Sequence, residues 1–217
     1  MSTPTFVHLR LHGEFSVVDG TVRIDDAVRA AADDRMPALA LTDLANLFGL
    51  VKFYSAARDA GVKPIAGCDV WTTHASERDA PFRALLLAAD RGGYLKLCDW
   101  LTRAYLGHQH RGRAEIDPAW FDEGTEGLIV LAGARDSDVG QALLQGNAVV
   151  AKTAAEVWRR PFPGRCYLGV QRAGHADETA VLVAPPAVPV VDDDQREPLV
   201  GLADGDHHRG GDVRAAR

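Results

Sequence analysis

The residues best suited to chemistry lie early in the chain. His8, Arg10 and His12 alternate with Val7, Leu9 and Leu11 in the stretch FVHLRLHGEFSVVDG, and Glu14 and Asp19 follow. Period-two alternation predicts a strand with one apolar and one polar face. Alternate side chains on such a strand stand about 7 Å apart, so His8, Arg10 and His12 point the same way. Asp43 follows the apolar run ALALT, and KPIAGCDV ends near Asp69. A ring of one imidazole and three carboxylates, His12, Asp19, Asp43 and Asp69, could hold zinc, manganese or magnesium and activate water for phosphoester hydrolysis. The competing reading is structural: aspartates after strands cap helices or turns, and a strand histidine is commonly hydrogen-bonded in place.

The elements that must position these residues alternate. A helix is expected over Asp25 to Asp34, with acids in its first turn, ended by Met36 and Pro37. A strand over Ala38 to Thr42, a helix over Leu47 to Ala60 stopped by Gly61, and a strand over Lys63 to Val70 follow. Phe82 to Ala89 reads as a strand or short buried helix, and Tyr94 to Tyr105 as a helix. Gly107 to Arg113 reads as a mobile basic loop, Asp117 to Phe121 as a helix start with proline at its first position, and Leu128 to Leu131 as a strand. Val139 to Gln145 and Ala151 to Trp158 are expected helices, Cys166 to Gln171 a late strand, and Val188 to Val191 a last one. This is the pattern of α/β sheets and barrels, whose sites gather at the carboxyl ends of strands.

The 217 residues suit one domain. A net charge of −6 argues against a free-standing nucleic-acid binder. No apolar run approaches the roughly 20 residues that cross a bilayer, and no leader pattern opens the chain, so a cytoplasmic protein is expected. Cys68, Cys98 and Cys166 are isolated and odd in number, which suggests free thiols. Trp100, Trp120 and Trp158 are expected as core or interface anchors. His108, His110, Arg111 and Arg113 form a local basic patch that could meet phosphate but reads first as a solvated loop. Residues 192–217 carry seven acids and four arginines, half of the formal charge, and read as a tail without regular structure after a domain over 1–191. Asp204, Asp206, His207 and His208 within it lack a scaffold to orient them as ligands.

The segments FVHLRLHGEFSVVDG, MPALALTDLANLFGLVKFYSAARDAGVKPIAGCDV, GLIVLAGARDSDVGQALLQGN and CYLGVQRAGHADE together resemble the N-terminal PHP (polymerase and histidinol phosphatase) domain of bacterial DNA polymerase III alpha subunits, from about residue 5 to about residue 180. The resemblance implies a distorted seven-stranded (β/α)7 barrel with metal ligands at the carboxyl ends of its strands, here incomplete at the C-terminus. It also implies a degraded ligand set. His12, Asp19 and Asp69 match ligand positions, whereas Arg10, Leu44 and Arg83 stand where the family has histidines, and Ala134 follows Gly133 where it has a cysteine. The last aspartate and histidine are not recognisable after Pro189, Val190 and Val191. A guanidinium stays protonated, repels a divalent ion and pairs with carboxylates, so Arg10 and Arg83 are expected to bind Asp19 or Asp69.

The resemblance further implies a structural platform for the proofreading exonuclease subunit of the polymerase III core, in DNA replication. DNA would be met only through a full-length polymerase, and no polymerase carboxylates are present. No cofactor is expected, although zinc, manganese or magnesium would be the ion if the vestigial His12, Asp19, Asp69 set still binds. The alternative is an active metal-dependent phosphoesterase or 3′–5′ exonuclease using those three residues. A truncated or frame-shifted product of a broken gene is a third possibility.

Overall fold

A computed structural model describes residues 6–74, 76–132, 135–172 and 212–214. Gly133, Ala134, the strand expected at 188–191, and Asp204, Asp206, His207 and His208 of the tail lie outside the described residues.

Helix α1 (Ile24–Asp33) carries Asp25 and Asp26 in its first turn and buries Ile24, Val28 and Ala31 at helical spacing. β1 (Ala38–Leu41) is buried throughout. Helix α2 (Leu50–Asp59) turns Phe53 and Ala57 inward and ends before Gly61, whose φ of +74° suits a residue without Cβ. These side chains meet in one apolar cluster with Leu39, Leu41 and Val62. β2 (Lys63–Thr72) is followed directly by β3 (Phe82–Ala88), which resolves the strand-or-helix ambiguity at that segment.

Helix α3 (Arg91–Gly107) starts where the Asp90 carboxylate accepts from Gly93 N at 2.9 Å. The expected mobile loop at 107–113 is instead the end of α3 and a hairpin. β4 (Gln109–His110) and β5 (Arg113–Ile116) pair antiparallel across Arg111 and Gly112, both at positive φ, as a two-residue hairpin turn requires. A 3-10 turn spans Pro118–Glu123, with proline in its first turn and Asp117 as its cap. β6 (Leu128–Ala132), α4 (Asp138–Leu144, capped by Ser137), α5 (Ala148–Arg159, capped by Asn147) and β7 (Cys166–Leu168) complete the main body. β8 (Val170–Arg172) pairs antiparallel with β9 (Asp212–Arg214).

The main sheet is mixed, in the order β4-β5-β2-β3-β6-β7, with β1 also on β2. β1/β2, β2/β5 and β6/β7 are parallel; β2/β3 and β3/β6 are antiparallel. The antiparallel step at β2/β3 follows from their connection, which is a loop rather than a crossover helix. β2 is long enough to serve two neighbours in succession: residues 63–66 pair with β1 and residues 71–72 with β5, while 67–72 pair with β3.

Both faces of the sheet are covered, as apolar runs in the strands require. Cys68, Val70, Ala84, Leu86, Val130 and Ala132 pack on one side with Trp100, Phe121, Trp158 and Phe162. Leu85, Leu87, Leu131 and Ala40 form a smaller cluster on the other, with Leu9, Ile65, Ile129 and Tyr167 against it. Trp100 and Trp158 are thus core anchors, and Trp120 packs against their cluster. The three cysteines are free thiols, and burial pushes Cys166 up to about 12.

The opening segment is extended beside β1 but pairs less than its alternation predicts. His8 and Leu39 form a single parallel bridge, with Ala40 N donating to His8 O and Thr42 N to Leu11 O, each at 2.9 Å. The Thr42 hydroxyl completes the seam: it accepts from Leu11 N at 2.9 Å and donates to Leu11 O at 3.1 Å.

Candidate functional site

Asp69 is the centre. It was expected at a strand end, but β3 extends β2 as far as Thr72, so Asp69 lies inside the strand and is fully buried. Three cationic or polar groups close on Oδ2: Arg83 Nη2 at 2.7 Å, His12 Nε2 at 3.2 Å and Arg10 Nη2 at 3.3 Å. Arg83 Nε also reaches Oδ1 at 3.4 Å. Burial would raise the Asp69 carboxyl; Arg10, the His12 hydrogen bond and Arg83 outweigh it and bring the group down to about 2.

His12 bridges two acids, since its Nδ1 lies 2.9 Å from Asp19 Oδ1. Asp19 also accepts from Ser16 Oγ at 2.6 Å and faces Arg83 Nη2 at 3.7 Å. Ser16 is buried and takes Leu44 N at 3.0 Å, which fixes the loop carrying Asp19 to the turn after β1. The structure therefore brings together His12, Asp19 and Asp69, and adds Arg10 and Arg83 to them.

Asp43 does not join that network directly. Its Oδ1 accepts from Gly13 N at 2.6 Å, while Oδ2 is buried without a hydrogen-bond partner among the described residues. Burial raises its carboxyl above the ordinary value, opposed by the Gly13 N–H and by His12. Its role is to anchor the backbone just after His12. Leu44 is bridged to Asp69 across the strands, and its side chain supplies no donor or acceptor there.

A row of side chains that includes residues not expected from the sequence extends the site along the sheet. Trp71 stands opposite Arg83 on β3 and opposite Glu115 on β5. The Arg83 and Arg113 guanidiniums lie 5.2 Å and 5.9 Å from the Trp71 ring centroid, within cation–π range. Glu115 is fully buried and pairs with Arg113 at 3.4 Å and Arg78 at 3.5 Å. The expected basic patch is largely neutralised here. His110 and Arg111 each lie 2.6 Å from an Asp79 oxygen, so the hairpin is tied to the loop before β3 while Arg111 stays exposed to solvent.

These residues do not fit a divalent ion. The donors around Asp69 Oδ2 stand where a cation would bind, and two of them are permanent charges. A metal-bound imidazole must present a bare lone pair, whereas both His12 nitrogens are turned to carboxylate oxygens. Among the described residues, no group of three or more His, Cys, Asp or Glu side chains is placed to hold a metal.

The sequence profile described as PHP domain matches residues 8–173. The chain belongs to the PHP family. Its curated PHP relatives include the DNA polymerase III subunit alpha of Neisseria meningitidis serogroup B, 44% identical over 186 residues, covering 85% of this chain and 16% of that protein. The Pseudomonas aeruginosa protein of the same name is 42% identical over 177 residues, covering 81% and 15%. The Escherichia coli K12 one is 41% identical over 184 residues, covering 85% and 16%. The chain thus spans about a sixth of the length of these relatives. Among solved structures, an amidohydrolase from Chromobacterium violaceum with bound sulfate and no metal aligns with a TM-score of 0.38 and 23% identity, over 46% of this chain and 34% of that one.

Proposed function

We propose that this chain is a PHP domain of the DNA polymerase III alpha type that serves DNA replication in the cytoplasm as a non-catalytic platform, binding the proofreading exonuclease subunit of the polymerase III core. DNA is reached only through a complete polymerase. The observation that carries the reading is the closure of Arg10, Arg83 and His12 on Asp69, which makes the family's metal-bearing mouth a salt-bridged joint between the opening segment, β2 and β3. No helix among the described residues is long and apolar enough to cross a membrane. The domain on this reading covers 1–191, with 192–217 as an appended tail, a boundary that limited proteolysis would locate.

The experiment is a binding assay with the purified exonuclease subunit, run beside metal analysis of the purified chain. Saturable binding with no bound metal and no phosphatase activity is expected. The competing reading is a metal-dependent phosphoesterase or 3′–5′ exonuclease, favoured by the gathering of His12, Asp19 and Asp69 within hydrogen-bond distance. Roughly one zinc, manganese or magnesium per chain, with activity lost in His12→Ala, would replace the platform reading by that one.

A further inference from the structure

Large apolar side chains are exposed together beside the joint. In the loop leading to Asp19, Val17 is 85% and Val18 87% exposed. Phe48, at 68%, precedes α2, and Val51 and Tyr54 on its outer face are 79% and 54% exposed. Val51 and Tyr54 lie three residues apart on the outer face of α2, with Phe48 exposed just ahead of its first turn, while Phe53 and Ala57 fill the inward face. The two segments are one surface unit. Asn46 Nδ2 donates to Phe15 O at 3.1 Å, Leu44 N donates to Ser16 Oγ at 3.0 Å, and the Phe15 ring packs on Gly49, where a Cβ would come within 2.9 Å of it.

The size and the rim of this surface restrict its occupant. It offers roughly 600 Å² of apolar area, the upper end for the largest patch of a monomer. Two copies meeting through it would bury about 1,200 Å² in all, short of the 2,000 Å² or more of permanent homodimers. Charges at its rim are paired with one another: Lys52 bonds Glu14 at 2.7 Å and Asp25 at 3.2 Å, and Arg23 faces Glu14 at 3.8 Å. A single apolar stripe beside an apolar loop matches one amphipathic helix laid across it, with anchors at helical spacing.

We infer that Val17, Val18, Phe48, Val51 and Tyr54 form the docking face for an apolar, amphipathic helical segment of a different polypeptide. Resting on the platform reading, that polypeptide is the proofreading exonuclease subunit. The loop that carries Asp19 into the joint presents Val17 and Val18 to the partner, so the same salt-bridged network that replaces a metal shapes the docking face.

The test is calorimetric titration of the full chain with the exonuclease subunit, comparing wild type, Val17→Asp/Val51→Asp and Phe48→Asp, with light scattering and thermal melts on each. Wild-type binding, at least tenfold weaker in both variants, with unchanged melting and a monomeric chain throughout, is the expected result. Equal binding by wild type and variants overturns the docking face and leaves the platform reading standing. No binding by wild type overturns both. A wild-type dimer that the variants dissolve assigns the face to a second copy, and variants that melt markedly lower assign it to this chain's own folding; either result overturns the inference.

Discussion

Arg83 on β3 and Asp69 on β2 are held at 2.7 Å, not directly opposite each other but two residues apart in register, since Asp69 pairs with Leu85 and Arg83 with Trp71. The guanidinium therefore reaches diagonally across the strands, with Trp71 beside it. Arg83→Ala would leave a fully buried carboxylate short of its nearest cation, and a loss of roughly 3–5 kcal/mol is expected in urea unfolding. Asp69→Asn/Arg83→Met removes both partners and should cost less than the sum of the single changes. Additive losses would show that the two side chains are not coupled.

Acid unfolding should bear the mark of Asp69. Its carboxyl ionises at about 2 in the folded chain against an ordinary value of 3.8, so the folded state binds the proton less tightly than the unfolded state. The stabilisation is fully present above about pH 4 and disappears as pH falls through about 2, a difference of about 2 kcal/mol. Urea midpoints measured through this window should fall less steeply in Asp69→Asn. Parallel curves would contradict the assignment.

Asp43 should act with the opposite sign. Burial raises its carboxyl, so the folded state holds the proton more tightly than the unfolded one. Its contribution to stability is present below 3.8 and declines as pH rises through the higher folded value. Asp43→Asn keeps an acceptor for Gly13 N and removes the charge, so the variant should gain on the wild type as pH rises across that window. The readout is the difference in urea midpoint, and a difference independent of pH would refute the expectation.

Gly93 in the first turn of α3 touches the backbone of Gly127 ahead of β6, where an added Cβ would overlap the Gly127 carbonyl. Backbone cannot swing aside as a side chain can. Gly93→Ala should destabilise by about 2–3 kcal/mol, seen as a lower melting temperature. A neutral result would mean that α3 can slide along the sheet.

The charged joint was legible because residue type alone limits what arginine can do: a guanidinium stays protonated and pairs with acids, and Asp69 and Asp19 are the acids that Arg10 and Arg83 reach. The depth of Asp69 was not legible. Val70 looked like a strand end because polar residues follow Thr72, and only the pairing with β3 reveals that the strand continues. The β4–β5 hairpin was hidden by its shortness and its charges, although Gly112 after Arg111 was a turn signal. Charge alternation around Ala114 could have indicated that Arg113 and Glu115 share a face, but the acid's partner Arg78 is set by a loop, which no periodicity describes.

The Thr42 hydroxyl, which both donates to and accepts from the Leu11 backbone, bears on the order of assembly. The segment carrying Arg10 and His12 is held to β1 and the turn after it through a few main-chain bonds and the Thr42 and Asp43 side chains, whereas β1, β2, β3 and β6 are joined by continuous ladders. The ladders can form without the opening segment; the joint cannot. The segment is expected to dock after the folding transition state: Thr42→Val should then accelerate unfolding and leave the refolding rate nearly unchanged in stopped-flow measurements, and slowed refolding would contradict it.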